Sequence, residues 1–458
     1  MKVLLVRPRP DPDTIGLQHV MLVEPLELEV LGALCRPGGH EPVVLDLTLE
    51  ADDIDAFLAR ERPDVLAVTG YITNVPAMID ACRRAKVRSD RIVTMVGGVH
   101  CEVVPEDLDD PAIDFRVVRN AVTVFPRLLD HVANGAPLPP GVLRPGQACD
   151  PDALPPMDFA YACPERALVD RYRDRYFYIF HDRVALLKTA FGCPYTCNFC
   201  FCRRITTGKY RERPMPDVLD ELQRIPQREV YIVDDDFLVS RERVMSFVQG
   251  VRARGIDRRY LVYGRADFIA GNPDVIQAFR DAGLRTVIVG FESFLDDDLQ
   301  AFKKGIDAST NAAAMAVLNR LGVECFATII LPPNWGRQEF HACGRRLREL
   351  KVKFVNLQPL TPLPGTGVRC DPATLLVPRS DFPKWDLAHV MLRPQKLNEA
   401  EFYEELIALY LRTLYRTDVL WNHLKEPPRM LWKMAAGTFR VDRQYRRKLA
   451  QARARCRD

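Results

Sequence analysis

The sequence predicts an α/β protein made of two parallel sheets in series, followed by a mainly helical region. Two observations carry this. Short apolar runs alternate with helically spaced apolar residues over residues 1–130 and again over 184–359, and a Pro-rich stretch from Asn134 to Pro164 separates the two series. At 458 residues the chain has room for two domains and a smaller appendage, and its 47% apolar content is ordinary for packed cores.

In the first series, Lys2 to Val6 reads as a buried strand and Glu24 to Leu34 carries apolar residues at helical spacing. Pro42 to Leu47 is strand-like, Asp52 to Arg60 helical, Val65 to Thr69 strand, Ala77 to Lys86 helix, and Ile92 to Val96 strand. Ligands of such sheets bind at the carboxyl ends of the strands. Three of those ends are rich in small and polar residues: Arg7-Pro8-Arg9-Pro10, Thr69-Gly70-Tyr71-Ile72-Thr73-Asn74 and Gly97-Gly98-Val99-His100. A well-packed loop would look similar to each of them.

Seven prolines between Pro137 and Pro156 break both periodicities and read as a linker. Six further strands are expected at Val184–Thr189, Glu229–Val233, Tyr260–Gly264, Thr286–Gly290, Cys325–Leu331 and Phe354–Pro359. Helices are expected between them at Met215–Arg224, Arg241–Arg254, Asn272–Ala282, Thr310–Leu321 and Gln338–Leu350. Six such units make a partial (β/α)6 barrel with its site at the carboxyl ends of the strands. The expected division is a first domain over 1–135, a linker over 136–180, the partial barrel over 181–375 and a helical region with a basic tail over 376–458.

The net charge of +3 gives no case for nucleic-acid binding. From Leu424 to Asp458, however, eleven Lys or Arg face only Glu426, Asp442 and Asp458. A solvated tail is the first reading of that end, and peripheral contact with the inner face of a membrane the second. The N-terminal apolar run stops at Arg7-Pro8, unlike a signal peptide, and no run reaches the roughly 18 apolar residues that span a bilayer. Thirteen cysteines, an odd number, suit a reducing cytoplasm in which thiols serve metals or cores.

The chemistry begins at Cys193-Pro194-Tyr195-Thr196-Cys197-Asn198-Phe199-Cys200, directly after the first strand of the second series. Three thiolates in so short a span can hold three corners of an iron–sulfur cube and leave one iron open. A structural zinc site and buried cysteines are the alternatives. Zinc usually closes with four ligands, and Cys202, two residues from Cys200, is an awkward fourth.

This Cys-x3-Cys-x2-Cys motif, with Phe199 before its last cysteine, resembles the signature of radical S-adenosylmethionine (SAM) enzymes. The resemblance implies a [4Fe-4S] cluster on Cys193, Cys197 and Cys200, its open iron chelating the amino and carboxylate groups of SAM. It assigns Phe199 to the SAM site, and Asp234, Asp235 and Asp236, after the second strand, to the SAM amino group. Arg265 follows the third strand. Glu292 and Ser293 follow the fourth, where related members meet the ribose or methionine end, and Gln358 lies on the sixth. Ile329-Ile330-Leu331-Pro332 resembles the fifth-strand segment near adenine. Each has an ordinary alternative: an acidic run suits a helix start, and Glu292 could pair with Arg265 or Lys303.

The first series then resembles the cobalamin-binding domain that precedes the barrel in one large subclass. The resemblance assigns Arg9, Thr69, Gly70, Tyr71, Ile72, Thr73, Asn74, Val75, Gly97, Gly98, Val99, His100 and Asn120 to cobalamin. Two departures stand out. Asp46-Leu47-Thr48-Leu49 carries no His, so cobalamin is expected without a protein imidazole on its lower face. Arg119-Asn120-Ala121-Val122-Thr123 replaces a Gly-Glu-Gly-Glu motif common in the subclass. A core-only Rossmann-like domain is the alternative.

The implied activity is methyl transfer from methylcobalamin to an unactivated carbon after hydrogen abstraction by a 5′-deoxyadenosyl radical. A cyclase or oxidative rearrangement enzyme using the same cofactors, and a non-enzymatic binding protein, are the competing readings. The start Glu24-Pro25-Leu26-Glu27-Leu28-Glu29 and the compact length look most similar to the hopanoid C-3 methylase branch, with the anaerobic magnesium-protoporphyrin cyclase more distant. The expected partners are a small-molecule or lipid substrate and an external one-electron reductant of flavodoxin or ferredoxin type. Arg175 to Phe180, with Trp421 and Trp432, could border a greasy substrate, although such aromatics are more often core. His181, His389 and Tyr263 are too generic to assign as acid or base.

Overall fold

The computed structural model describes residues 1–16, 19–414, 416 and 428–455. The first sheet contains β1 (Lys2–Arg7), β2 (Glu41–Asp46), β3 (Val65–Thr69), β4 (Val93–Gly97), β5 (Phe115–Val117) and β6 (Val142–Leu143) in the order β2-β1-β3-β4-β5-β6. The first five are parallel and β6 is antiparallel. Four helices cross over: α1 (Leu26–Cys35), α2 (Ile54–Glu61), α3 (Val75–Arg88) and α4 (Ala121–Asn134).

Strands covered on both faces should be apolar along their whole length. Val3, Leu4, Leu5 and Val6 of β1 are accordingly all fully buried. Leu4, Val6, Leu66 and Val68 pack against α2 and α3, while Val3, Leu5, Val65 and Ala67 pack against α1 and α4. The strand order 2-1-3-4-5 puts its switch point between β1 and β3, where open α/β sheets bind ligands.

The Pro-rich stretch is more than a connector. It supplies β6, and the residues after it return to the first core, where Val169, Tyr172 and Tyr176 are buried with α1 and α4.

The second sheet is a six-stranded, all-parallel open barrel in sequential order: β7 (Ala185–Leu187), β8 (Glu229–Ile232), β9 (Arg259–Gly264), β10 (Leu284–Glu292), β11 (Glu324–Leu331) and β12 (Phe354–Pro359). Its outer helices are α5 (Met215–Arg224), α6 (Arg241–Ala253), α7 (Pro273–Asp281), α8 (Ala308–Leu321) and α9 (Arg337–Glu349). Side chains alternate with the pleat. Ala185, Leu187, Val230, Ile232 and Val262 face the helices, while Leu186, Tyr231, Leu261, Ile288 and Phe326 fill the interior. The hairpin Phe177–Tyr178/His181–Asp182 plugs the barrel at the strand starts, with Tyr178 5.1 Å from Tyr231 between ring centres.

Among the described residues the C-terminal region contributes two helices, α10 (Glu399–Leu414) and α11 (Pro428–Arg455). α10 covers the free edge of β12: the Tyr410 hydroxyl accepts from Leu357 N (2.9 Å) and donates to Leu357 O (3.3 Å), a side-chain substitute for a missing strand. Gln444 of α11 holds Thr14 O and Gly16 N near the N-terminus. No helix among the described residues is long and apolar enough to cross a membrane.

Candidate active site

The three-cysteine loop leaves the barrel at the end of β7, and charged side chains fix its stem. Asp234, just past β8, accepts from Thr189 N (2.6 Å), Ala190 N (2.9 Å) and the Thr189 hydroxyl. Arg243 donates to Thr189 O at 2.9 Å and Arg213 to Lys188 O. Ala190–Phe191 pairs antiparallel with Arg211–Glu212, closing the loop on itself. At its entry Gly192 has φ +74°, and a Cβ there would stand 2.1 Å from Lys209 O. Asn198 fastens the middle: its amide donates to Ala301 O (2.8 Å), and its carbonyl accepts from Gly367 N (2.6 Å), which follows β12.

Cys193, Cys197 and Cys200 are each partly accessible. Burial pushes the Cys193 thiol up to about 12, and it raises Cys197 despite the neighbouring Lys304 and Arg265 cations. Cys200 is instead lowered, because the Cys202 thiol donates to it. Cys202 lies beside Cys200 as its hydrogen-bond donor. Arg265 lies with Nη1 3.7 Å from Cys197 Sγ and its guanidinium 3.9 Å over the Tyr195 ring. Among the described residues no three His, Cys, Asp or Glu side chains converge on a single-ion site. Three partly accessible thiols, with Lys304 and Arg265 beside Cys197, suit a thiolate-ligated cube that takes each cysteine at its own iron corner.

The three aspartates after β8 diverge. Asp234 is enclosed and spent on the loop stem, so the structure does not bring it to an amino group; it positions the loop. Asp236 is pushed up to about 7 by burial, against the pull of Lys304 and Arg265. One of its oxygens accepts from Leu238 N, and the other is buried with no partner. Asp235 lies beside Cys200 and Cys202. A cationic ligand has two acceptors here, Asp235 and Oδ2 of Asp236.

Glu292 is re-aimed inward by a bulge between Gly290 and Glu292 where β10 meets β11, with φ +62°. It pairs with Lys304 at 2.9 Å, both side chains buried, rather than with Arg265 or Lys303. Lys304 also sits 5.9 Å from the centre of the Phe199 ring, and its carbonyl accepts from Arg265. Sequence reasoning missed Lys304. The pair Lys303-Lys304 before Gly305 was the available signal, but adjacent lysines do not reveal which one turns inward. Ser293 is a further correction: fully buried, its hydroxyl donates to Asp298 and accepts from Leu295 N, away from the loop. Gln358 keeps partial exposure on β12.

Beside this loop lie the strand ends of the first sheet, the turn Val99–Val103 packing against Cys202–Ile205. Gly98 has φ +92°, and a Cβ there would meet Thr69 Oγ1 at 2.5 Å, so β3 and β4 end in a close-fitting bare backbone surface. Tyr71 projects from it with 61% exposure, yet the two domains around it raise its phenol to about 12, with Glu27, Tyr263 and Cys202 contributing. Thr69, Gly70, Thr73, Gly97 and Val99 share this partly open surface. Asn74 caps the turn by accepting from Tyr71 N.

Five residues expected at the corrin are turned elsewhere. Ile72 is buried against Trp385 and Met391, and Val75 lies in the α3 core. His100 is buried with Nε2 2.8 Å from Asp107. Arg9 spends its guanidinium on Leu47 O and Glu50 O, and Asn120 binds Pro156 O and Asp158 N. Asp46, which lacks a downstream His, is paired with Arg7 across the ends of β1 and β2. The bare β3–β4 surface and the tyrosine above it fit a large flat ligand.

His181 bridges Glu229 and Thr286 beneath the barrel, and His389 pairs with Asp386, so both rings are engaged within the protein. Phe177 and Tyr178 belong to the plug under the barrel; Trp421 lies outside the described residues.

A family model for the B12 binding domain matches residues 14–129, and one for the Radical SAM superfamily matches residues 187–347. The chain is 28% identical over 439 residues to the hopanoid C-3 methylase of Methylococcus capsulatus, covering 94% of this chain and 83% of that protein. It is 23% identical to the anaerobic magnesium-protoporphyrin IX monomethyl ester cyclase of Rubrivivax gelatinosus, covering 90% and 77%. Two solved folds resemble it. The radical SAM methyltransferase TsrM from Kitasatospora setae has TM-score 0.67 at 16% identity, covering 98% and 99%. The cobalamin-dependent SAM radical enzyme OxsB has TM-score 0.68 at 13%, covering 97% and 71%. With the two models together spanning more than half of its length in the order of its two sheets, the chain belongs to the radical SAM enzymes with a B12-binding domain, whose cofactors are a [4Fe-4S] cluster, SAM and cobalamin.

Proposed function

We propose that this enzyme transfers a methyl group to an unactivated carbon of an apolar small molecule or lipid, with Cys193, Cys197 and Cys200 as its cluster ligands. One observation supports the reading: the helical turn Val99–Val103 at the end of the first sheet packs against the turn Cys202–Ile205 that follows the cysteine loop, with Tyr71 in electrostatic reach of Tyr263 and Cys202, so the two proposed cofactor surfaces are neighbours. When bound, the cluster and SAM supply a 5′-deoxyadenosyl radical and cobalamin supplies the methyl group.

The chain's own part is positional and electrostatic. Asp235 and the free oxygen of Asp236 would accept the SAM ammonium, with Phe199 and Gln358 flanking the same ligand. Glu292, held by Lys304, would accept from the ribose hydroxyls or from the ammonium of the methionine end. Arg265 offsets thiolate charge at Cys197. Gly97, Gly98, Val99, Thr69, Gly70, Tyr71 and Thr73 would receive the corrin. Tyr231, Leu261, Ile288 and Phe326 form a dry floor in the barrel interior that keeps water from a reactive carbon.

Likeness to a hopanoid methylase over nearly the whole chain supports a polycyclic lipid as the substrate class, and an external flavodoxin- or ferredoxin-type donor would supply single electrons. The likeness to a cyclase makes ring formation the competing outcome. Anaerobic turnover with methyl-deuterated SAM separates the two. Deuterated methyl in the product is expected, and product formed without the label overturns methyl transfer.

A further inference from the structure

Of the four large apolar side chains left exposed among the described residues, two lie on α11: Trp432, 72% exposed, and Phe439, 67% exposed. At about 100° per residue, positions seven apart nearly superpose on a helix. Trp432, Phe439 and Arg443 thus form one outward line, with Arg440 and Arg447 on one flank and Ala435 on the other. The opposite face of α11, including Met430, Tyr445 and Ala452, is buried. The aromatics are therefore the solvent side of an otherwise well-seated helix.

The charges on this helix divide in two. Lys433, Arg446, Lys448, Arg453 and Arg455 are in ion pairs with Asp182, Asp442, Asp13, Glu404 and Glu399. Arg440, Arg443 and Arg447 are exposed and have no acidic partner among the described residues. The unpaired cations are those beside the aromatics. Arg440 and Trp432 also line a cleft of about 610 Å³ that contains Arg175 and Arg9.

We propose that this ridge seats the enzyme on an anionic lipid bilayer, Trp432 and Phe439 entering the interface and Arg440, Arg443 and Arg447 meeting the headgroups. Exposed indole and phenyl groups gain by leaving water at that depth, and unpaired arginines complement an anionic surface. The helix lies along the membrane and does not cross it. An acidic redox protein or a second copy of the chain would use the same charges less well, because neither requires two bare aromatics in line. The inference rests on α11 alone and is independent of methyl transfer.

Co-sedimentation of the full-length protein with vesicles tests it. Binding is expected to vesicles of mixed phosphatidylglycerol and phosphatidylcholine, to be weak on phosphatidylcholine alone, and to fall with salt. Trp432→Ser with Phe439→Ser should weaken it by about tenfold or more. Arg443→Gln with Arg447→Gln should weaken it by roughly fivefold per arginine. Both double variants should keep the thermal midpoint and hydroxocobalamin uptake of the parent, since all four side chains are exposed. Failure of the parent to sediment with anionic vesicles overturns the proposal, as does unchanged binding by properly folded variants. Ridge-dependent self-association or flavodoxin capture in lipid-free buffer, with vesicle binding unaffected, would reassign the ridge to a protein partner.

Discussion

Removing the Lys304 ammonium would leave the buried Glu292 carboxylate without its ion-pair partner. Losing one partner of a buried ion pair costs about 3–5 kcal/mol. Lys304→Met is therefore expected to lose roughly that much stability and at least about tenfold in SAM affinity. Adding Glu292→Gln should restore stability but not SAM binding; chemical denaturation and equilibrium dialysis of the reconstituted protein read the two effects separately. Glu29 offers a pH test of a different kind. Its side chain is fully buried, neither oxygen has a hydrogen-bond partner, and burial, with the Glu24 charge, pushes it up to about 9. Arg166 is 4.0 Å away but already committed to Glu24 at 2.6 Å, so the neutral acid is the consistent state. The folded protein holds this proton while the unfolded chain releases it above the ordinary carboxyl range, so the residue costs stability increasingly as pH rises toward 9. Glu29→Gln should leave the thermal midpoint nearly unchanged at pH 5 and raise it at pH 8. An equal shift at both pH values would contradict a neutral Glu29.

The cluster loop shows how one backbone position can decide an element. Gly192→Ala meets both a left-handed φ and a carbonyl 2.1 Å away, whereas Gly255→Ala, at φ +61°, meets open space. The first should abolish iron incorporation on reconstitution, and the second should cost only about 1 kcal/mol of stability and leave iron content intact. Elements of this kind also mark how far sequence reading reaches. The six barrel strands and their helices were legible because each is apolar with a clean period and each is bounded by Gly, Pro or Asp. Val142–Leu143 was hidden among prolines, and Asp296–Ala301 is one acidic turn too short to show a period. At the site, the cysteines and the Gly97-Gly98 turn could be read because chemistry or backbone conformation restricts those positions to few residue types. Asp234, Ser293 and His100 could not. A polar side chain at a strand end looks the same whether it faces a ligand or a neighbouring backbone amide, and only packing decides which.

At the scale of the molecule, the two sheets are joined by a buried relay of charge. Glu24, at the start of α1, accepts from Arg166 (2.6 Å) and from Leu186 N of β7 (2.6 Å). Arg166 continues to Leu186 O and Glu221, and Glu221 to Arg213, which holds the stem of the cysteine loop. The first domain is thus fastened at the strand that launches the cluster loop, which keeps the two cofactor surfaces in register. The same stretch of chain also completes the first sheet, and this sets where the protein can be divided. A fragment cut at residue 135, where composition changes, would shed β6, bare the hydrogen-bonding rim of β5, and empty the sites of Val169, Tyr172 and Tyr176. Such a fragment should express as aggregate, whereas one ending beyond residue 176 should stay monomeric and take up hydroxocobalamin, as gel filtration and its visible spectrum would report. The natural seam for dissecting the enzyme therefore lies some forty residues later than its proline content suggests.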